Sequence, residues 1–172
     1  VLNHLARNAD SHAHLLQGAS RGEVAEQYPG GLQARSAGIE AGAGRSAEEL
    51  VADVRRSIYA LEAQWAATNA TGWQGEGRNS VGAVIPMNDV VFLRWREVEV
   101  HMSDVDLGVS WSSWSGDYVR FELERQVMLW RSRKSMGMTV LPDAALHLSP
   151  NHRLAWLLRR VDVEGLATPD GL

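Results

Sequence analysis

The amino-acid sequence predicts a mainly α protein, α+β overall, with a helix bundle over residues 1–110 and a small α/β domain over residues 111–172. Three observations predict it. Apolar residues recur at steps of three and four along several stretches, which puts them on one face of a helix. Helix starts are visible at Ser46 and at Ser149-Pro150. The extended runs, 80–85 and the MGMTVL stretch of 136–141, are few and short.

The elements follow in order. Residues 1–17 carry Leu2, Leu5, Ala9, His12 or Ala13, and Leu16 at helical spacing, but nothing before Val1 could cap that helix, so the chain begins mid-element. Residues 18–45 are rich in Gly and Ala and contain Pro29-Gly30-Gly31, which predicts a loop or short helical turns. Ser46-Ala-Glu-Glu49 has capping-box spacing, and Leu50, Val54, Ile58, Leu61 and Trp65 follow on one helical face. Residues 71–78 hold three glycines and predict a turn or hairpin into the extended run 80–85. Pro86-Met-Asn-Asp opens a helix expected from about Asp89 to about Met102. The composition changes after Asp106-Leu107-Gly108, which places a domain boundary near residue 110. Beyond it come a loop anchored by Trp111 and Trp114, a helix over 117–131 with Val119, Leu123, Val127 and Trp130 inward, the strand candidate MGMTVL, and a last helix with Leu154, Leu157 and Leu158 inward. The seven tryptophans are expected in core packing.

Composition narrows the function classes. The chain has 172 residues, 45% hydrophobic and 22% charged, with a net charge of -4. No basic stripe is present to neutralise phosphates, which argues against nucleic acid as a partner. No apolar run approaches the roughly 20 residues that span a bilayer, and a cytoplasmic location is the default expectation. Without cysteine the chain supplies neither a thiolate ligand nor a thiol nucleophile. Any thiol chemistry needs a thiol from outside.

Glu97 and His101 are the most informative pair. Four residues apart on a helix, they share one face and can share one ion. His4, on the first helix, offers a third ligand, and two imidazoles with one carboxylate make the ligand set of a catalytic zinc site, which keeps a fourth position open. Taken alone, a Glu/His pair at this spacing is more often a surface hydrogen bond. Glu99 is two residues from His101, faces away from it, and is expected at the solvated surface. His12 and His14 are read as surface or loop-contacting residues, and His147 and His152 as structural.

The segments HLARNAD, YPGGLQAR, REVEVH followed by DVDLG, and AWLLRR together resemble the mycothiol-dependent maleylpyruvate isomerases of actinobacteria, members of the DinB-like metal-binding four-helix bundles. The resemblance runs over nearly the whole chain. It implies zinc held by His4, Glu97 and His101, and substrate-binding arginines at Arg35 and Arg160. It also implies mycothiol as the thiol cofactor and cis to trans isomerisation of maleylpyruvate to fumarylpyruvate in gentisate degradation, by reversible thiolate addition. An arginine fork suits the carboxylates of such a substrate. Asp104 and Asp106 are read as second-shell acceptors for a ligand imidazole or as loop-stabilising residues, and the sequence leaves both roles open.

Two departures from the family pattern stand out. The family's first bundle helix, which precedes HLARNAD, is absent from this sequence; the expectation is either a truncated start or packing supplied by another protomer, with an exposed apolar groove that favours a homo-oligomer. Arg159 stands where the family has a glycine before its arginine. Three functions remain open at this point: the isomerase, a mycothiol S-transferase acting on another electrophile, and a noncatalytic metal-binding bundle.

Overall fold

The structure, a computed structural model, describes residues 1–133 and 139–169. It divides into two compact units, Val1–Val98 and Glu99–Leu172, with the division inside a helix. The composition change near residue 110 lies a little further along.

The first unit is built on α1, Leu2–Ser20, which buries Leu5, Ala6, Ala9, Leu15, Leu16 and Ala19 along one side. Four polar residues, Asn3, Asn8, Ser11 and His12, are buried with them. The segment expected as a loop or short helical turns contains a two-residue strand β1, Ala25–Glu26, and a ten-residue helix α2, Gly31–Glu40. No residue of α2 is buried, so it carries no apolar stripe for a sequence pattern to show. Gly30 starts it in the left-handed conformation at φ 89, a position that favours glycine.

Helix α3, Ala47–Ala67, begins at the Ser46 capping box, with Glu49 N–H donating to the Ser46 hydroxyl and Ser46 N–H to the Glu49 carboxylate. Its buried residues are Asp53, Ser57 and Leu61; of the expected stripe Leu61 is buried, and Leu50, Val54, Ile58 and Trp65 are half-buried beside it. Small Ser57 lets α3 lie close to α1, while Val54 and Ile58 stand at the margin of a cavity of about 320 Å³ that Leu2, Val51 and Tyr59 also line. Helix α4, Ala70–Gln74, is capped by Asn69, which accepts from Gly72 N–H.

A small sheet completes this unit. Strand β2, Glu76–Arg78, pairs parallel with β1 and antiparallel with β3, Val84–Pro86, in the order β1-β2-β3. The extended run expected from residue 80 begins only at Val84, because the Asn79 side chain accepts from both Val81 N–H and Ala83 N–H and folds the intervening residues into a turn. Helix α5, Asp89–Ser103, follows. The core, formed by Ala9, Leu15, Leu16, Ala19, Leu61, Met87 and Val90, is flanked by Trp65, Trp73 and Ile85. Fully burying each of those leucines contributes about 1.5–3 kcal/mol.

In the second unit a short 3-10 turn, Trp111–Ser113, precedes α6, Gly116–Arg131, α7, Asp143–Leu146, and α8, Pro150–Leu157. Ser115 and Ser149 cap α6 and α8. The core joins Leu141, Ala145, Trp156 and Leu157, with Leu123, Val127 and Trp130 packed against it. Leu158, expected inward, is the C-cap of α8 and only half-buried; Leu154, Ala155, Trp156 and Leu157 fill the interior. His152 stacks on Trp111 at 4.9 Å, a packing role in line with expectation. Half of the MGMTVL strand candidate, 136–138, lies outside the described residues, and the other half, 139–141, forms no strand. Among the described residues no helix is long and apolar enough to cross a membrane.

Candidate metal centre

Two helices bring together three side chains that could hold a metal ion. His4 lies in the first turn of α1, and Glu97 and His101 follow each other by one turn on α5. The ring Nε2 of His4 and the Oε2 of Glu97 are 2.7 Å apart. With His101 they offer three ligand atoms that all lie within 4.8 Å of one another. All three residues are half-buried, which leaves access from solvent.

The donor chemistry fits zinc. Tetrahedral zinc with bonds of about 2.0 Å places neighbouring ligand atoms about 3.3 Å apart, a convergence that small side-chain rotations can reach here. Nδ1 of His101 is 2.8 Å from Oδ2 of Asp104. A proton on Nδ1 donated to that carboxylate puts the ring lone pair on Nε2, the tautomer a metal needs.

Asp104 is itself held. Arg160 donates from Nε to Asp104 Oδ1 at 2.7 Å and from Nη2 to Oδ2 at 2.9 Å, a two-point grip, while its Nη1 donates to the Leu158 carbonyl. The end of α8 delivers Arg160 to this position. Arg160 N–H donates to Ala155 O and Arg159 N–H to Trp156 O, the bond pattern of a Schellman turn, with Arg159 in its left-handed position at φ 57. That is where glycine is most favoured, so Arg159 occupies a strained backbone site.

The other expected site residues are placed differently. Arg35 lies on α2 with its guanidinium 5.8 Å from the Tyr28 ring. It lines a cavity of about 240 Å³ along α1, with Arg7, Asp10, Ser11 and His14, and not the His4, Glu97, His101 group itself. Asp106 is exposed in the left-handed conformation at φ 57. Glu99 is half-buried instead of fully solvated and stands outside the ligating group. His147 is exposed.

His12 corrects the sequence reading. It is 2% exposed, in the interior of the first unit and not at its surface. Burial pushes its pKa down to about 4; the charge of Arg94 acts in the same direction and that of Glu97 opposes it.

Three further features escaped the sequence reading. Arg94, one turn before Glu97 on α5, is 5% exposed and donates from Nη1 to Leu5 O at 2.9 Å and to Asn8 Oδ1 at 2.8 Å. Asn3, next to His4, donates from Nδ2 to Gly38 O and Ile39 O and so ties down the end of α2. The Asn3 side chain lies so close to Gly42 that a Cβ there would stand 2.2 Å from its Cγ. Asp53, 1% exposed, accepts from Arg7, Arg45 and Arg56 together. Desolvation works to raise its pKa, but the Arg45 hydrogen bond and the charges of Arg7, Arg56 and Arg45 outweigh it and hold the carboxyl below its ordinary value. The spacing of Arg94 from Glu97 is the one signal the sequence offered for any of these.

Fold and site thus define a helical domain with a His/Glu/His group, carried on two helices, that could hold a metal ion. The sequence model of the mycothiol maleylpyruvate isomerase N-terminal domain matches residues 1–106, and the chain belongs to that family. A crystal structure of the mycothiol-dependent maleylpyruvate isomerase is similar over 77% of this chain and 55% of that one, with 24% identity and a TM-score of 0.70. The crystal structure of a histidine-to-alanine mutant of the mycothiol-dependent maleylpyruvate isomerase gives the same coverage, 25% identity and a TM-score of 0.69. The chain therefore spans 55% of the length of these relatives. No curated protein sequence matches it.

Proposed function

We propose that the chain is a zinc- and mycothiol-dependent isomerase that converts maleylpyruvate to fumarylpyruvate. The single observation that carries this reading is the convergence of His4, Glu97 and His101 within 4.8 Å in a chain of this family. These three residues would hold the metal. Zinc, when bound, would keep a thiol ionised near neutral pH, where an ordinary thiol with a pKa of about 8.5 is mostly protonated, and reversible addition of that thiolate opens the cis double bond to rotation.

The chain's own residues do the rest. The 2.7 Å contact between His4 and Glu97 brings two ligand atoms together before any ion arrives. Asp104 fixes the ring of His101, and Arg160 fixes Asp104. Arg35 presents a guanidinium to its cavity on α1, where a substrate carboxylate would be recognised. Asn3 holds the helix that carries Arg35.

One observation favours a second reading. Arg160, expected as half of a carboxylate clamp, spends its two-point grip on Asp104. A mycothiol S-transferase acting on another electrophile needs no such clamp. Incubating the zinc-loaded protein with maleylpyruvate and a known amount of mycothiol separates the two. Fumarylpyruvate formed with the thiol undiminished supports the isomerase, and thiol consumed in proportion to product supports the transferase.

A further inference from the structure

Helices α1 and α5 are joined by cross-links that rise along one and descend along the other. His4 meets Glu97, and one turn further along α1 and one turn back along α5, Leu5 and Asn8 meet Arg94. We propose that Arg94 and Asn8 are a positioning pair for the metal centre: their bond fixes the axial register of α5 against α1 and so decides where Glu97 stands relative to His4. The proposal rests on the reading of His4, Glu97 and His101 as a metal site.

Register is the quantity that matters here. A slip of one residue moves a helix by about 1.5 Å, whereas metal ligands must sit within about 0.2 Å of their bond distances. At this end of the unit α1 buries Leu5 and Ala6, apolar packing to which directional bonds add a fixed register. The core cluster takes Ala9, Leu15, Leu16 and Ala19 from α1 and only Val90 from α5, all of it on the far side of the Asn8–Arg94 bond from His4 and Glu97. Towards the site, α5 exposes Val98 and buries Val100. Oily side chains tolerate sliding, but a guanidinium that must reach a carbonyl and an amide oxygen at 2.9 and 2.8 Å does not.

Burying that guanidinium is costly, and its two named acceptors are neutral. An apolar side chain of similar volume would pack there at less cost. A buried polar group that sacrifices stability for a single register is a known device between helices, and here it lies one turn from the ligating carboxylate. The positive charge also lies close enough to Glu97 for the two to interact.

The test is a Co²⁺ titration of the full chain, read by the visible absorption of a four-coordinate centre, with thermal unfolding of each metal-free variant followed in parallel. Arg94→Met, Arg94→Lys and Asn8→Ala are compared with the unmodified chain, and Arg21→Ala serves as a surface control. The expected result is at least ~10-fold weaker Co²⁺ binding in Arg94→Met, with an altered spectrum and cooperative unfolding retained, a smaller loss in Asn8→Ala, partial rescue in Arg94→Lys and no change in Arg21→Ala. Unchanged affinity and spectrum in both Arg94→Met and Asn8→Ala would overturn the proposal. Should Arg94→Met fail to fold, Asn8→Ala, which deletes one acceptor and no charge, carries the same comparison. Absence of Co²⁺ binding by the unmodified chain would overturn the metal reading instead. In that case the metal-free crystal structure of Asn8→Ala decides the register: an intact 2.7 Å His4–Glu97 contact overturns the positioning role, and a displaced one supports it.

Discussion

Arg160 holds Asp104 by two parallel hydrogen bonds, at 2.7 and 2.9 Å, and the same carboxylate contacts Nδ1 of His101 at 2.8 Å. An arginine at the end of α8 thereby reaches His101, the proposed ligand, through one intervening side chain. Removing Asp104 deprives the ring of its orienting partner. Asp104→Ala is expected to weaken zinc about 10- to 100-fold, and Arg160→Ala to weaken it less, since Asp104 can still accept from His101. Competition against a chromophoric chelator measures both, and equal affinity in all three proteins would remove the relay from the account.

Arg159 makes a separate stability prediction. Its left-handed backbone at φ 57 is a position where a side chain costs about 1 kcal/mol relative to glycine. Arg159→Gly should therefore raise the stability of the second unit by about that amount while leaving zinc affinity unchanged. Urea unfolding followed by tryptophan fluorescence reads the change.

His12 makes stability depend on pH. Its pKa is about 4 in the folded chain against an ordinary value of 6.5, so between these values the unfolded chain binds the extra proton. Stability is then fully present above about pH 6.5 and is lost as pH falls towards 4, by about 3 kcal/mol in total. In the metal-free protein, His12→Leu should flatten the pH dependence over this window. A slope identical to that of the unmodified chain would show that another group titrates.

Asp53 gathers three arginines around one buried carboxylate. Asp53→Ala leaves them facing one another and is expected to cost about 2 kcal/mol, because the arginines are partly exposed and screened by solvent. Chemical unfolding at low and high salt checks this, and salt should narrow the deficit.

The parts of this structure legible in the sequence are those with local causes. The Ser46 and Ser149 caps act within one turn, and each helix begins where its cap predicts. Glu97 and His101 stand out through their spacing on one helix, His4 is available as a third ligand on the first helix, and the resemblance implies one metal for all three. What the sequence concealed depends on distant partners or on the absence of burial. Helix α2 buries nothing, so no stripe marks it. On α3 the pattern marks Leu61, whereas Asp53 and Ser57, polar by type, are buried beside it, Asp53 with arginines that arrive from α1 and from the loop before α3. His12 reads as a surface histidine by its residue type, although its place on the stripe of Leu5, Ala9 and Leu16 puts it on the covered face of α1. Arg160 was visible as an arginine, but its engagement with Asp104 depends on how the turn after α8 closes.

The most direct test of the central claim is the zinc content of the purified protein by mass spectrometry, for the unmodified chain, His4→Ala, Glu97→Ala, His101→Ala and Glu99→Ala. Near one zinc per chain in the unmodified protein and in Glu99→Ala, lost in the other three, is the result predicted by the His4, Glu97, His101 group. Zinc absent from the unmodified chain, or lost equally in Glu99→Ala, would contradict it.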